Sequence, residues 1–260
     1  MNNKNILIIF IIVFIVFYIN VNSSSDQFDE WTKKYDKILK SYIKPGELKG
    51  ISLNLVDYKG LRENKEIEKL ESDLSKLPSV KNQPVKKQLA FWINTYNFLT
   101  IVKIIRNPGL KSIRNLNKGL TTVWQQTAGI INNEKITLDQ IEHEIIRKEF
   151  NEPRIHFAVN CASISCPDLR TEAYFPDNLD KQLEDQLLKT LDNQKKGMLI
   201  DHKKRIIYLS KIFSWYSADF SDNVKLWLKN KNIINDEVFE KYTVKYFNYD
   251  WDLNSIPGRN

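Results

Sequence analysis

Reactive side chains are scarce in this chain. Of its 260 residues only two are cysteines and three are histidines. A disulfide scaffold is therefore excluded, and stability must come from a core of ordinary apolar side chains. Both cysteines fall in one stretch, Ile155-His-Phe-Ala-Val-Asn-Cys161-Ala-Ser-Ile-Ser-Cys166-Pro-Asp-Leu-Arg170, which also holds His156, with His143 shortly upstream. There is no arginine-rich stripe interleaved with aromatics. The 39 basic residues are dispersed in pairs such as Lys33-Lys34, Lys86-Lys87 and Lys203-Lys204. That pattern excludes a nucleic-acid-binding face, and the net charge of +7 supports no more than a mild preference for anionic surfaces. Internal repeats, low-complexity linkers, C-x-x-C pairs and cofactor-binding motifs are all lacking. The N-x-S/T sequon Asn22-Ser23-Ser24 stands alone, at the end of the leader described next, so no glycosylation is expected.

Long hydrophobic runs are also missing, with one exception. After Lys4, the fourteen residues from Ile6 to Ile19 are all apolar. The run is short of the roughly 18 residues of a membrane span and suits the core of a secretory signal. Val21 and Ser23 offer small residues for cleavage before Ser24-Ser25-Asp26. The expectation is a signal peptide over residues 1–24 and one soluble globular domain over 25–260, secreted or in an endomembrane lumen. The alternative is an uncleaved anchor, since the site lacks the A-x-A form. After cleavage no contact with a membrane is expected, and the partner is an unidentified peptide, protein or small molecule.

Apolar periodicity organises the remainder. Trp31, Tyr35, Ile38, Leu39 and Tyr42 recur at helical spacing and stop at Pro45-Gly46. Ile51–Val56 alternates as a strand, and Leu61–Leu77 predicts a helix. Residues 88–106 predict the most apolar helix, ended by Asn107-Pro108-Gly109. Residues 123–136 read as extended chain turning at Asn132-Asn133. Thr137 and Gln140 then form a capping box for a helix reaching Phe150. Ile155–Asn160 is read as a strand with His156, Ala158 and Asn160 on one face. A helix over 179–191, a hairpin over 198–209 and helices over 210–229 complete an α+β, helix-rich domain with a small sheet containing hairpins.

Three groups could carry chemistry. Pro167 favours the first position of a helix, which would make Cys166 an N-cap whose thiol is acidified by the helix dipole. The other readings of the two cysteines are a Cys161–Cys166 disulfide, inert buried thiols, or half of a Cys2His2 zinc set with His143 and His156, although the spacings fit no trusted zinc pattern. His156 is either a base, sharing a face with Asn160, or a hydrogen-bonded structural residue. Glu142-His143 is either a second acid–imidazole pair or a solvated one. Asn94 and Asn97 lie at i and i+3 of a helix apolar on nearly every face, so both amides must be satisfied inside the protein. They either staple a loop to the core or belong to the site.

At these residues the chain resembles a known family, the domain of unknown function 547. The resemblance rests on Asn54-Leu-Val-Asp-Tyr58-Lys-Gly-Leu61, Ala90-Phe-Trp-Ile-Asn-Thr-Tyr-Asn97, Leu138-Asp-Gln-Ile-Glu-His143-Glu-Ile-Ile-Arg147, the His156–Pro167 segment, and Leu209-Ser-Lys-Ile-Phe-Ser-Trp215-Tyr-Ser-Ala-Asp-Phe220. Its motif residues fall here on Trp92, Asn94, Tyr96, Asn97, Glu142, His143, His156, Cys161, Cys166 and Pro167. The resemblance implies a domain found in secreted bacterial proteins and, fused to other modules, in larger eukaryotic ones, but no settled activity. A helix followed by histidine-bearing segments is also broadly similar to papain- or transglutaminase-type thiol enzymes.

Two functional expectations follow. In the first, one pocket gathers Asn94, Asn97, Glu142, His143, His156, Cys161 and Cys166 for acyl-transfer or hydrolytic chemistry. Cys166 ahead of Cys161 is then the nucleophile, His156 or His143 the base, and Glu142 or Asn160 orients it, with Trp92, Asn94, Tyr96 and Asn97 in binding roles. In the second, the protein is a non-catalytic extracellular interaction domain in which a disulfide and a polar network fix loop shape.

Overall fold

In the computed structural model the described residues are 27–259, so the expected signal peptide lies outside them. Helix α1 (27–42) leads into the antiparallel pair β1 (Ile43–Leu48) and β2 (Ile51–Val56), joined through Lys49 and Gly50, both at positive φ. The single helix expected over 61–77 is two, α2 (Tyr58–Glu63) and α3 (Glu66–Lys76). Asn64 breaks them apart with an extended backbone, and its side chain accepts the Glu66 N–H at 3.0 Å. Asparagine offers the backbone this local alternative to a helical hydrogen bond.

Helix α4 (Val85–Ile105) is the centre of the molecule, apolar on nearly all faces and buried along most of its length. Phe98 on α4 meets Trp31 and Tyr35 of α1 edge-on, and Phe91 meets Phe28 in the same way. Buried edge-to-face rings of this kind add to the area they remove from water. Downstream, β3 (Thr127–Ile131) and β4 (Glu134–Thr137) form a hairpin that turns at Asn132 and Asn133. Both have positive φ, the left-handed geometry a tight hairpin turn requires and asparagine tolerates.

The capping box forms as read. Gln140 N–H donates to Thr137 Oγ1 at 3.0 Å, and Thr137 N–H donates to Gln140 Oε1 at 2.9 Å. Helix α5 (138–149) that follows is wound as a π-helix from Gln140 to Ile146, a widened turn often found at functional sites. The segment after it corrects an expectation. Residues 155–160 are not a strand: Ile155–Ala158 is a short helix, α6. Every residue from Ile155 to Asn160 is buried, so the apparent alternation does not mark one wet and one dry face. Apolar periodicity in so short a run cannot separate strand from helix.

Helix α7 (Leu179–Asp192), β5 (Met198–Asp201) and β6 (Ile206–Leu209) come next, then the short helices α8 (Ile212–Trp215), α9 (Val224–Asn230) and α10 (Asp236–Lys241), and finally β7 (Thr243–Tyr246). Strand β6 pairs antiparallel with β5 and parallel with β7. The fold is thus α+β and helix-rich, with three small sheets among the described residues. Two large apolar cores share it, beside a small third cluster of Leu53, Leu55 and Ile164. One surrounds α4; the other lies beneath β5–β7 and α8–α10. Helix α6 is built into both, with Ile155 and Ala158 in the first and Phe157 in the second. His156 is therefore held at the seam. No helix among the described residues is long and apolar enough to cross a membrane.

Candidate active site

The chain after α6 turns sharply, and its geometry is set by amides from a distance. Asn97 on α4 donates Nδ2–H to Ala158 O at 2.9 Å and accepts Asn160 N–H on Oδ1 at 2.8 Å. Asn160 in turn donates to Pro167 O at 2.7 Å and accepts Ala162 N–H at 2.8 Å. Ala162 has φ +62°, a conformation that costs a β-carbon residue about 1 kcal/mol or more and persists only where its surroundings impose it. Lys196, buried, closes the loop from below by donating to Ile164 O, Cys166 O and Asp168 Oδ1. Asn94 plays the same part elsewhere: it pairs with both the N–H and the C=O of Tyr174. Both asparagines of α4 are loop staples, and neither lines the cavity described below.

A strap formed by residues 247–259 lies along the cysteine loop. Asp250 O and Asp252 O accept Ser165 N–H and Ile164 N–H, and Asn254 N–H donates to Ala162 O. The strap brings Tyr249 to the first cysteine, its Oη 3.2 Å from Cys161 Sγ. Ser163 Oγ is also 3.2 Å from that sulfur and donates to Tyr249 Oη at 3.1 Å.

Both cysteines are free thiols, so the expected disulfide is absent. The loop holds them in a different relation: Cys161 N–H donates to Cys166 Sγ at 3.2 Å. A hydrogen bond from the Cys166 thiol, joined by Ser163 and Tyr249, outweighs burial and lowers the Cys161 pKa to about 7. Burial pushes Cys166 well above the ordinary thiol range. No helix starts at Pro167, so the dipole argument for Cys166 is overturned. Of the two sulfurs Cys161 is therefore the acidic one and Cys166 the protonated one.

His156 is 2% exposed, with its ring stacked on Tyr216 at a centroid separation of 3.9 Å. Its Nε2 lies 2.6 Å from Asp219 Oδ2, while Nδ1 has no partner. A carboxylate accepts only, so the ring proton sits on Nε2 and Nδ1 carries the free lone pair. Burial, opposed by the Asp219 hydrogen bond, lowers the His156 pKa and leaves the ring neutral. Asp219 is gripped by the Arg147 guanidinium at 2.7 and 2.9 Å, which with His156 holds its pKa down to about 2. Arg147 also donates to His143 Nδ1 at 3.0 Å, which occupies that lone pair with a cation. Glu142 is buried and accepts the Tyr216 hydroxyl at 2.7 Å. Neither Glu142 nor Asn160 is hydrogen-bonded to an imidazole; the carboxylate that meets His156 is Asp219.

Among the described residues, Cys161, Cys166, His156, His143, Glu142 and Tyr96 line one cavity of about 260 Å³. Part of the reason lies in α5: the wider π turn rotates successive residues by less than the roughly 100° of an α-helix, so Glu142 and His143 reach the same space. Five of the seven residues expected to converge do so. Trp92 does not; it packs on Phe91 beside a different groove. Asp219, Arg147, Tyr216 and Tyr249 carry no chemical signal of their own in the sequence. Arg147, Tyr216 and Asp219 do lie within motifs carrying the family resemblance, which was the available signal. Tyr249 had none.

The fold and cavity define an α+β domain whose two cores meet at a cysteine–histidine–carboxylate cluster. Residues 80–189 match the model of the family described as Protein of unknown function, DUF547, and over that stretch the chain carries a DUF547 domain. The match contains Tyr96, Glu142, His143, His156 and both cysteines, whereas Tyr216, Asp219 and Tyr249 lie beyond it. No curated protein and no solved structure matches the chain.

Proposed function

We propose that this protein is a thiol enzyme that cleaves or transfers the acyl group of an amide or ester, with Cys161 as nucleophile. The observation that carries the reading is one shared cavity: an acidified Cys161 sulfur and a buried His156, backed by Asp219, both line it. The Cys161 sulfur attacks the carbonyl carbon while His156 Nδ1 takes the thiol proton. The carbon–nitrogen or carbon–oxygen bond of the substrate breaks, the leaving group takes that proton from His156, and a thioester remains on Cys161. Water or an acceptor amine then attacks the thioester, again giving its proton to His156. The acid or new amide departs, and the thiol is restored.

Asp219 keeps the His156 ring in the productive tautomer and stabilises its transient positive charge. The Tyr96 hydroxyl makes no hydrogen bond to any described residue, and burial raises its pKa well above the ordinary phenol range. It stays protonated and is the donor suited to the oxygen that becomes negative during attack.

The test has two parts. Native protein is treated with iodoacetamide and the adducts mapped, with Cys161 expected to label before Cys166. A panel of acyl p-nitrophenyl esters and p-nitroanilides is then offered to wild type and Cys161→Ala, and the variant is expected to lose turnover with its circular dichroism unchanged. Undiminished turnover by Cys161→Ala would overturn the assignment. The apolar run at residues 6–19 supports a secreted setting for this chemistry. N-terminal sequencing of protein recovered from medium checks that placement.

A further inference from the structure

We infer that the cavity is a cation-binding subsite, and that the substrate group it takes is a protonated alkylamine. This rests on the acyl-transfer reading for what happens next, but its physical basis is separate. The walls carry six aromatic rings, from Tyr96, Trp124, Trp215, Tyr216, Tyr249 and Trp251. Three of them are already packed into a fixed unit: Tyr249 and Trp251 have centroids 4.5 Å apart, and Trp215 lies 4.7 Å from Tyr249 and 5.7 Å from Trp251. Ring faces fixed in advance attract an ammonium through their quadrupoles without being reorganised. Arg114 already makes such a contact, 5.1 Å from the centre of Trp251.

The charge of the lining points the same way. Asp139 and Glu142 line the cavity, and no lysine or arginine does, although the chain carries 39 basic residues and a net charge of +7. Glu142 is only 5% exposed, and its one hydrogen-bond partner among the described residues is the neutral Tyr216 hydroxyl. No cation is within ion-pair distance of it there. Arg147, whose guanidinium lies 5.1 Å from the Tyr216 ring centre, is bound through both Asp219 oxygens instead. A buried carboxylate is costly to keep ionised without a counter-charge. Arg147 acts on Glu142 only through space and from outside the lining, so a cation inside the cavity would supply a closer counter-charge. An anion would meet two acidic side chains and the acidified Cys161 sulfur. A neutral alkyl group would fill the ring cage but leave Glu142 unpaired.

Wild-type protein is titrated at constant ionic strength with n-butylammonium, n-butanol and butyrate, following intrinsic tryptophan fluorescence. Saturable binding of n-butylammonium is expected at least about tenfold tighter than that of n-butanol, with none for butyrate. Glu142→Gln keeps an acceptor for Tyr216 and should weaken n-butylammonium about tenfold while leaving n-butanol unchanged. Should that variant fail to fold, Asp139→Asn is read in the same way. Equal or tighter binding of n-butanol, or unchanged n-butylammonium affinity in the folded variants, overturns the inference. The readout involves no thiol chemistry. Turnover by Cys161→Ala would remove the nucleophile and leave cation binding standing, and loss of cation binding would leave the nucleophile standing.

Discussion

Removing the Cys166 thiol should change the pH profile of Cys161 in a way that no loss of fold would mimic. The Cys161 pKa falls from 9.0 to about 7, with the hydrogen bond from Cys166 as its largest cause. At pH 7 about half of Cys161 is then thiolate, against about 1% for a thiol at 9.0. A thiolate of lower basicity is also a weaker nucleophile. Two units at a Brønsted slope near 0.4–0.5 remove about six- to tenfold, so the net advantage at neutral pH is only about five- to eightfold.

In Cys166→Ala the donor is gone. One charge-assisted hydrogen bond is worth about one unit, which moves the inflection to near pH 8. Thiolate at pH 7 then drops about fivefold, but each thiolate becomes about threefold more reactive. The variant should alkylate about twofold more slowly than wild type at pH 7 and about threefold faster above pH 9.5, so the two curves cross. Iodoacetamide rates from pH 5.5 to 10, with adducts mapped to Cys161, read this directly. An inflection that stays near 7 in the variant, or a variant slower at both ends, would refute the assigned donor. First labelling of Cys166 in wild type would refute the assigned acidity.

Three further outcomes follow from burial and hydrogen-bond geometry. Burial lowers the His156 pKa below its ordinary 6.5, so the unfolded chain takes up that proton before the folded one does. Stability should therefore fall as pH drops below about 6.5, and His156→Gln should flatten that slope in urea melts; an identical slope in the variant would count against it. Asp219, held down to about 2, adds stability above about pH 3.8 that is lost as pH falls towards 2. Its side chain is about 25% exposed, so this contribution is about 1–2 kcal/mol. Asn97→Ala leaves Ala158 O and Asn160 N–H buried without partners, which should cost about 2–4 kcal/mol in denaturant titration. The same variant should raise the Cys161 labelling rate as the loop loosens, and a change under 1 kcal/mol would contradict the staple role.

The pattern of success along the chain has a physical cause. Helix α4 was legible because a long, predominantly apolar stretch, with apolar residues on nearly every helical face, ends at Asn107-Pro108-Gly109. The Thr137–Gln140 box and the Asn132-Asn133 turn were legible because their hydrogen bonds and dihedrals close within a few residues. The site's location was legible too, since scarce side chains concentrated in one segment are visible in composition alone. Residues 155–160 misled because burial on every side removes the contrast that periodicity reads. Cys166 misled because proline licenses a helix start without requiring one.

The amino-acid order by itself thus determined the helix-rich α+β class, the buried double-asparagine helix, and the segment where the reactive groups lie. Tertiary structure alone decided which sulfur is acidic and which imidazole has a carboxylate behind it. Tyr249 reaches Cys161 across 88 positions and Asp219 reaches His156 across 63. A thiol's acidity and an imidazole's tautomer depend on donors, acceptors and burial at hydrogen-bond range, and those neighbours are supplied by the packing of distant segments rather than by the local run of residues.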